Sequence, residues 1–514
     1  MSLIDRLLNN AKKYNNSEAI VYLSPNKHRK VLSWDELNRL SNKIANMLIS
    51  KEIRKGDKVG LLSVNSLLWL PIYFGILKAG AIVVSLNYNE GIDEIDYCLN
   101  LVECKALFLS NVYKWYDTLI ALNDGKYRIF EVHDSTGEYG EYINEIKECS
   151  DNNIFVPIDD TDDAAIYFSS GTTGRSKAIL LTHFALLSAA ETELAHHRQQ
   201  QQDRFLCLAP LYHTGAKIHW FGSLLVGGCI VISPPPSPIS VLSTIEQERI
   251  TIAFLLVSQI QDILDAISLG DVDMKALDLS SWRLMHSGAQ PIPASLIKRW
   301  CTQFPNMLYD TNYGLTEASG PGCIHLGSEN IHKLGSIGRP DPKWKVDIVN
   351  EVGFPVEKGT IGELIIHGPS VMKGYYHDAH STNKTIKNNW LYTGDMAYID
   401  VDGFIYLVDR KKDVIISGGE NIYPIQIENH IRLLQCVKDV AAIGLPNERI
   451  GEIIVAIIEL NGKANCRKKD VINHCMELPY HKRPVKIIFD TVIRNNTGKM
   501  DKKAMRNRYK KQEL

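Results

Sequence analysis

Residues 167–183 read YFSSGTTGRSKAILLTH. They gather the hydroxyls of Ser169, Ser170, Thr172 and Thr173, the glycines Gly171 and Gly174, and the ammonium of Lys177 between two apolar runs. A strand entering such a loop and a strand leaving it present backbone N–H groups, hydroxyls and one cation to an anion. The pattern is not GxxxxGK[ST]. Lys177 is followed by Ala178, the glycines stand too close together, and no hydroxyl occupies the position that holds Mg²⁺ in that motif. Further along, NYGLTEASG at 312–320 carries a ring at Tyr313, a hydroxyl at Thr316 and a carboxylate at Glu317. LYTGD at 391–395 ends on Asp395, DRKKDVIISGGENIYPIQIE at 409–428 holds Arg410, and NNTGKMDKKAMR at 495–506 holds Lys499. Taken singly, each has an ordinary structural explanation: Asp395 as a turn or cap residue, Tyr313 as core, Glu317 as a carboxylate at a helix N-terminus, Lys499 as one more solvated lysine.

The elements that must position these residues can be read from periodicity. Helical spacing over 33–49 behind a Ser33 cap, a strand at 58–63, a helix at 67–78 and strands at 81–86 and 106–110 form a strand–helix–strand alternation. That alternation predicts a parallel α/β sheet. A second series of strands is expected at 164–168, 178–181, 204–208, 229–232 and 252–257. ISPPPSPIS at 232–240 reads as a rigid surface connection between two units. From about 335 to 409 short strands with Gly and Asp turns predict a small β-rich unit, and after the charged DRKKD a mixed α+β tail follows. The 514 residues imply two to four packing units, at roughly 100–200 residues per domain. Fractions of 45% hydrophobic and 23% charged residues exclude disorder, collagen and coiled coil for the bulk of the chain. Lys+Arg at 57 against Asp+Glu at 59 gives no basic footprint for nucleic acid or anionic membrane. The most apolar stretch, 67–86, is interrupted by Pro71, Lys78 and Gly80, so it reads as a buried helix, turn and strand rather than a membrane span. The start, MSLIDRLLNNAKKYNN, lacks the apolar core and cleavage site of a signal peptide. Ten Cys without a C-x-x-C pair suggest neither a zinc ribbon nor a dense disulfide framework. A soluble, cytoplasmic protein is expected.

Taken together and in order, these stretches resemble a known family. SSGTTGRSKAI is similar to the phosphate-loop signature of the adenylate-forming, AMP-binding superfamily of acyl-CoA synthetases, peptide-synthetase adenylation domains and luciferases. NYGLTEASG, LYTGD, DRKKDVIISGGENIYPIQIE and NNTGKMDKKAMR resemble its later motifs, so the resemblance spans nearly the whole chain, nearest to the acyl-CoA synthetases. It implies an N-terminal body over 1–409, made of two parallel α/β sheets plus the small β-rich unit, then a hinge over 410–412 pivoting on Lys412, then a mobile α+β lid over 413–514. ATP would be held by Ser169, Ser170, Gly171, Thr172, Thr173, Gly174 and Lys177 at its β- and γ-phosphates, and by Gly288, Ala289, Gln290, Asn312, Tyr313 and Gly314 elsewhere. Thr316 would donate to the α-phosphate, Asp395 would accept from the ribose hydroxyls with Arg410 beside it, and Glu317 would bind Mg²⁺. Lys499 would neutralise the attacking carboxylate and the α-phosphate, because joining two anions demands positive charge in the transition state.

The acceptor and the acid follow from two more resemblances. SGGENIYP, with Gly418, Gly419 and Glu420, is similar to the segment that lines the pantetheine tunnel of acyl-CoA synthetases, so coenzyme A is the expected co-substrate. A carrier-protein phosphopantetheine arm would use a similar tunnel and stays open as the alternative. PLYHTGAKIHWFGSLLVGG at 210–228 is similar to the segment whose His, here His213, lies near the reacting carboxylate. Gly215 and His219 share its helix, and Ser287, Gly288 and Asn312 complete the implied pocket. No Asp stands in that segment to pair an α-ammonium, which disfavours an amino acid. An aromatic or short-to-medium-chain aliphatic monocarboxylic acid is expected, with a polar-tailed acid behind it because Gln290 and Asn312 add polarity. A third reading, a nucleotide-binding relative without catalysis, would call for loss of Lys499, Glu317 or Lys177, and all three are present.

Overall fold

The apolar runs expected as strands are buried on both faces, as parallel strands between helix layers must be. The computed structural model describes residues 2–24, 28–134, 143–169, 175–233, 237–290, 292–462, 466–494 and 500–510. It forms two compact units, Met1–Lys345 with Ile366–Leu391 and Val346–Ile365 with Tyr392–Leu514.

The first unit holds two large sheets. One runs, in spatial order, Gly374–Tyr375, Lys177–Thr182, Asp163–Ser169, Ile82–Ser85, Lys58–Leu62, Ala106–Ser110 and Arg128–Val132. Its pairings from Asp163–Ser169 to Arg128–Val132 are parallel, and its other edge is an antiparallel hairpin. The second sheet has nine strands, parallel from Glu18–Leu23 through to Leu308–Leu315 and antiparallel at both edges. The expected parallel sheets are thus parallel at their centres, with antiparallel hairpins at one edge of the first and both edges of the second.

Local chemistry sets the helix starts. Ser33 Oγ accepts from Glu36 N at 3.2 Å and Glu36 Oε2 accepts from Ser33 N at 2.8 Å, so Trp34–Ser50 begins in a reciprocal capping box. Trp69–Lys78 is buried at every residue, including Lys78, whose Nζ donates to Asn38 Oδ1 at 2.6 Å and Asn42 Oδ1 at 2.7 Å. Two expectations fail locally. The strand read over 252–257 ends at Phe254, and Val257 instead opens the helix Val257–Leu269. The Pro-rich segment does not join two units. Residues 234–236 lie outside the described residues, and Ser237 caps Pro238–Gln247, a crossover within one sheet from Cys229–Ile232 to Ile252–Phe254.

In the second unit the strands Gly362–His367, Trp390–Ile399 and Ile405–Arg410 are successive neighbours. A separate sheet is built on the long hairpin Val437–Asn447 and Gly451–Leu460. Ile427, Val440 and Val471 lie in the core on one side of that sheet, and Ala441, Val455 and Met505 in the core on the other. By its contacts, this unit groups residues 346–365 and 392–409 with the C-terminal sheet, a division different from a single cut at 409. Cys436 and Cys466 are bridged with their Cα atoms 6.0 Å apart, and eight other cysteines are free. Among the described residues no helix is long and apolar enough to cross a membrane.

Candidate active site

The hairpin Asp163–Ser169 and Lys177–Thr182 sets Ser169 opposite Lys177, so the Ser/Thr/Gly loop springs from one register pair. Ser170, Gly171, Thr172, Thr173 and Gly174 lie outside the described residues. Lys177 is placed by contacts that its own motif does not contain. Its Nζ donates to Ser381 Oγ at 3.0 Å and stands 4.6 Å over the ring of Tyr375. The Tyr375 hydroxyl in turn donates to Glu317 Oε1 at 2.9 Å. A cation from one motif and a carboxylate from another therefore meet through a single phenol. Burial and the neighbouring Glu317 carboxylate push the Tyr375 phenol above its ordinary pKa, so it stays protonated and a donor at neutral pH. Ser381 is fixed in its turn by Asp378, which caps Ala379–Thr385 and accepts from Ser381 N at 2.9 Å.

Glu317 sits in the tight turn Thr316–Ala318 that ends the strand Leu308–Leu315. Its carbonyl accepts from Met372 N at 2.7 Å. Ser319 Oγ donates to Ser370 O at 2.8 Å while Ser370 Oγ donates to Ala318 O at 3.1 Å, a reciprocal clamp on the turn. Thr316 Oγ1 lies 3.5 Å from Thr214 Oγ1 at the start of the helix Thr214–Val226, for which His213 is the N-cap residue. Gly215 follows, and a Cβ there would meet no atom of the described residues within 4 Å. His219 belongs to the same helix, with its side chain outside the described residues.

On the neighbouring strand Leu284–Ser287 the chain leaves through Gly288 and Ala289, the latter in the left-handed region at φ 68°. A Cβ on Gly288 would lie 2.8 Å from Asn312 Oδ1, so any side chain at 288 displaces that amide. Ser287 Oγ and Asn312 Oδ1 are buried with no hydrogen-bond partner among the described residues. Gln290 follows next, and Tyr313 is buried in the strand beside Gly314. The structure thus gathers Lys177, Glu317 and Thr316 with Thr214, and separately Gly288 with Asn312, all in the first unit.

Asp395, Arg410, Lys412 and Gly418–Gly419–Glu420 belong to the second unit. Asp395 is paired in register with Arg410, and the guanidinium Nε lies 2.6 Å from Asp395 Oδ1. Both were expected at a ribose, and here they hold one another. The turn before Asp395 is tied down: Thr393 Oγ1 donates to Leu364 O at 2.7 Å, and Glu363 accepts from Gly394 N at 3.1 Å and from Lys411 Nζ at 2.8 Å. Gly418 and Gly419, at φ 60° and 83°, make the turn between Ile415–Ser417 and Glu420–Ile422. Among the described residues a Cβ on either would meet nothing within 4 Å, so these glycines answer a backbone requirement rather than a crowding one. Glu420 is exposed, 3.5 Å from His481 Nε2, and Lys412 is exposed in the turn Lys411–Asp413. Lys499 lies outside the described residues.

Tyr375 and Ser381 carry no signal in the sequence. GYYHDAHS has no motif, and both reach Lys177 because Gly374–Tyr375 adds to the sheet edge opposite Leu180 and Ile179.

With this geometry in hand, similarity to known proteins is informative. The family described as AMP-binding enzyme matches residues 7–376. A feruloyl-CoA synthase of Amycolatopsis sp is 33% identical over 429 residues, 83% of each chain. A long-chain-fatty-acid–CoA ligase of Mycobacterium tuberculosis is 30% identical over 483 residues, 93% of each. The crystal structure of ATP-bound MatB from Rhodopseudomonas palustris matches the fold with a TM-score of 0.90 at 25% identity, over 99% of both chains. The chain belongs to the family of AMP-binding enzymes, with acid–CoA ligases as relatives along most of its length.

Proposed function

We infer that this AMP-binding enzyme is an ATP-dependent acid–CoA ligase working through an acyl-adenylate. A carboxylate oxygen of the acid attacks the α-phosphorus, and the bond to the β-phosphate breaks to release pyrophosphate. The thiol of coenzyme A then attacks the acyl carbon, loses its proton, and displaces AMP. The observation that carries this reading is the chain of contact from Lys177 through Tyr375 to Glu317. It joins a fixed cation, paired in register with Ser169, to a fixed carboxylate.

Mg²⁺ fits this donor set: Glu317 is a half-buried carboxylate held by a clamped turn, and it would hold the ion that draws charge from the phosphate oxygens. Lys177 neutralises the departing pyrophosphate, and Thr316 donates to the α-phosphate. Asp395 and Arg410 are assigned to the ribose and Lys499 to the attacking carboxylate. Gly418–Gly419–Glu420 are assigned to the pantetheine arm, with Lys412 as the pivot of a lid over 413–514. Alternation of that lid separates the two half-reactions.

For the acid, the relatives are named for feruloyl and long-chain fatty acyl groups, two very different tails. Buried Ser287 Oγ and Asn312 Oδ1 support an acid with a polar substituent over a plain hydrocarbon chain, because orphaned buried polar atoms are costly unless a ligand satisfies them. Eight free thiols suit the cytoplasm as the site of action, while the Cys436–Cys466 bridge gives that compartment no support. The test is a panel of acids incubated with ATP and Mg²⁺, with acyl-AMP trapped by hydroxylamine, then repeated with CoA. Hydroxamate that gives way to acyl-CoA is expected. Hydroxamate without CoA turnover would move the acceptor to a carrier-protein arm, and no hydroxamate from any acid would overturn the ligase reading.

A further inference from the structure

Adenylation makes no use of a second set of groups, buried in the first unit. The helix His183–His197 sets Glu193 and His197 one turn apart on one face. His286 comes from Leu284–Ser287, and His325 ends the strand Gly320–His325. Relative exposures are 0% for Glu193 and His286 and 3% for His197 and His325. His197 Nδ1 stands 3.3 Å from Glu193 Oε1, and His325 Nε2 stands 3.0 Å from Glu193 Oε2. His286 Nδ1 is 3.5 Å from Glu193 Oε1, and its ring meets that of His197 edge-on.

We propose that Glu193, His197 and His325 form a structural site for a zinc-class divalent ion, with His286 at its fourth position. Three features point this way together. First, bonds of about 2.0–2.1 Å in a tetrahedron put two ligand atoms roughly 3.3 Å apart, which matches the separations around Glu193. One ligand atom from each of Glu193, His197 and His325 also falls within 4.8 Å of the others. Second, His325 and His197 each turn the other nitrogen to a carboxylate: His325 Nδ1 lies 2.7 Å from Asp341 Oδ2, and His197 Nε2 lies 3.3 Å from Asp310 Oδ2. Such outer carboxylates fix the tautomer and orient a ligating imidazole. Asp310 is itself anchored, its Oδ1 accepting from Thr311 N at 2.8 Å and Gly327 N at 2.9 Å. Third, Glu193 and Asp310 are buried and Asp341 stands half-buried beside them; uncompensated anions in such a setting are strongly unfavourable, so the cluster calls for cations. Three imidazoles and a carboxylate suit zinc rather than the oxygen-seeking Mg²⁺. The site also reaches the implied acid pocket, because Asn312 Nδ2 lies 3.3 Å from Glu193 Oε2. An ion there would stiffen the wall that Asn312 shares with Gly288.

The test uses the untagged full chain, produced in minimal medium supplied with Zn²⁺ or with Co²⁺, washed with Mg²⁺, and analysed for metal by mass spectrometry. Near-stoichiometric zinc, and the visible absorption of four-coordinate cobalt, are expected in the unaltered protein. Both should be lost in His197→Gln and His325→Gln and kept in His196→Gln, whose ring contacts Asp310 and lies outside the ligand set. Protein free of zinc as purified, and again after refolding from denaturant with Zn²⁺ present, would show that protons alone close the network and would overturn the site. Full zinc retained in the His197→Gln, His325→Gln double variant would place the ion elsewhere and overturn the site as well. Neither outcome bears on ligase activity, which the hydroxamate assay reads separately.

Discussion

Tyr375 is where a single atom separates two effects. Its ring faces the Lys177 ammonium and its hydroxyl serves Glu317, so Tyr375→Phe keeps the first contact and deletes the second. A hydrogen bond to a charged group contributes about 1.5–3 kcal/mol. Adenylation by Tyr375→Phe should therefore be slower by roughly 10- to 100-fold, with more Mg²⁺ needed for half-maximal rate. An unchanged Mg²⁺ titration would mean that the phenol does not position Glu317. Lys78 offers a test of a different kind. Burial pulls its pKa down to about 7, well below that of a free lysine. Between that value and roughly 10.4 the unfolded chain holds a proton that the folded chain has released. Stability should therefore rise with pH across that window. Lys78→Met should remove this rise, and should cost about 1–3 kcal/mol by leaving acceptors on Asn38 and Asn42 unserved. Urea midpoints of both proteins against pH decide the matter, and parallel curves would reject the assignment.

At the level of elements, the strongest signals in the sequence were those fixed by local chemistry. The Ser33 cap, the Lys58–Leu62 and Ala106–Ser110 strands and the hairpin flanking the Ser/Thr/Gly loop all follow from residues a few positions apart. What could not be read was set by register between distant strands. Tyr375 reaches Lys177 only because a two-residue strand joins the sheet edge, and Glu193 meets His325 only through packing of a helix on the far strands. The misplaced end of the 252–257 strand has a similar origin: an apolar run has no period of its own, and Gln259, whose Oε1 accepts from Leu256 N at 2.9 Å, turns it into a helix. The helix Thr214–Val226 carries its own prediction. Among the described residues nothing lies within 4 Å of a Cβ at Gly215, so Gly215→Phe should fold and, on the proposed assignment, occupy the acid pocket. The variant should accept only shorter acids while its KM for ATP stays unchanged. An unaltered acid preference would move the pocket away from this helix.

For the whole molecule, the proposed alternation demands that the two half-reactions respond differently to one change. Lys499→Ala should lose formation of acyl-AMP by about 10²–10³-fold, the usual effect of removing one transition-state donor. It should still convert supplied acyl-AMP and CoA to acyl-CoA at near the normal rate. Lys412→Pro should do the reverse, since fixing φ at the pivot traps one pose. It should spare adenylation and slow thioester formation. Equal loss of both steps in Lys499→Ala would require the lid to stay put.

The Arg410–Asp395 pair alters how nucleotide entry should be pictured. Asp395 is 6% exposed and already neutralised by a guanidinium 2.6 Å away. On the proposed assignment, an arriving ribose does not settle into a vacant socket but takes part in a partner exchange, with its hydroxyls replacing a cation that then swings onto the sugar. The carboxylate is at no point left bare in a dry setting, which would be strongly unfavourable. On that assignment, release of AMP would run the same exchange backwards, with Arg410 a placeholder whose return would help to expel the spent nucleotide.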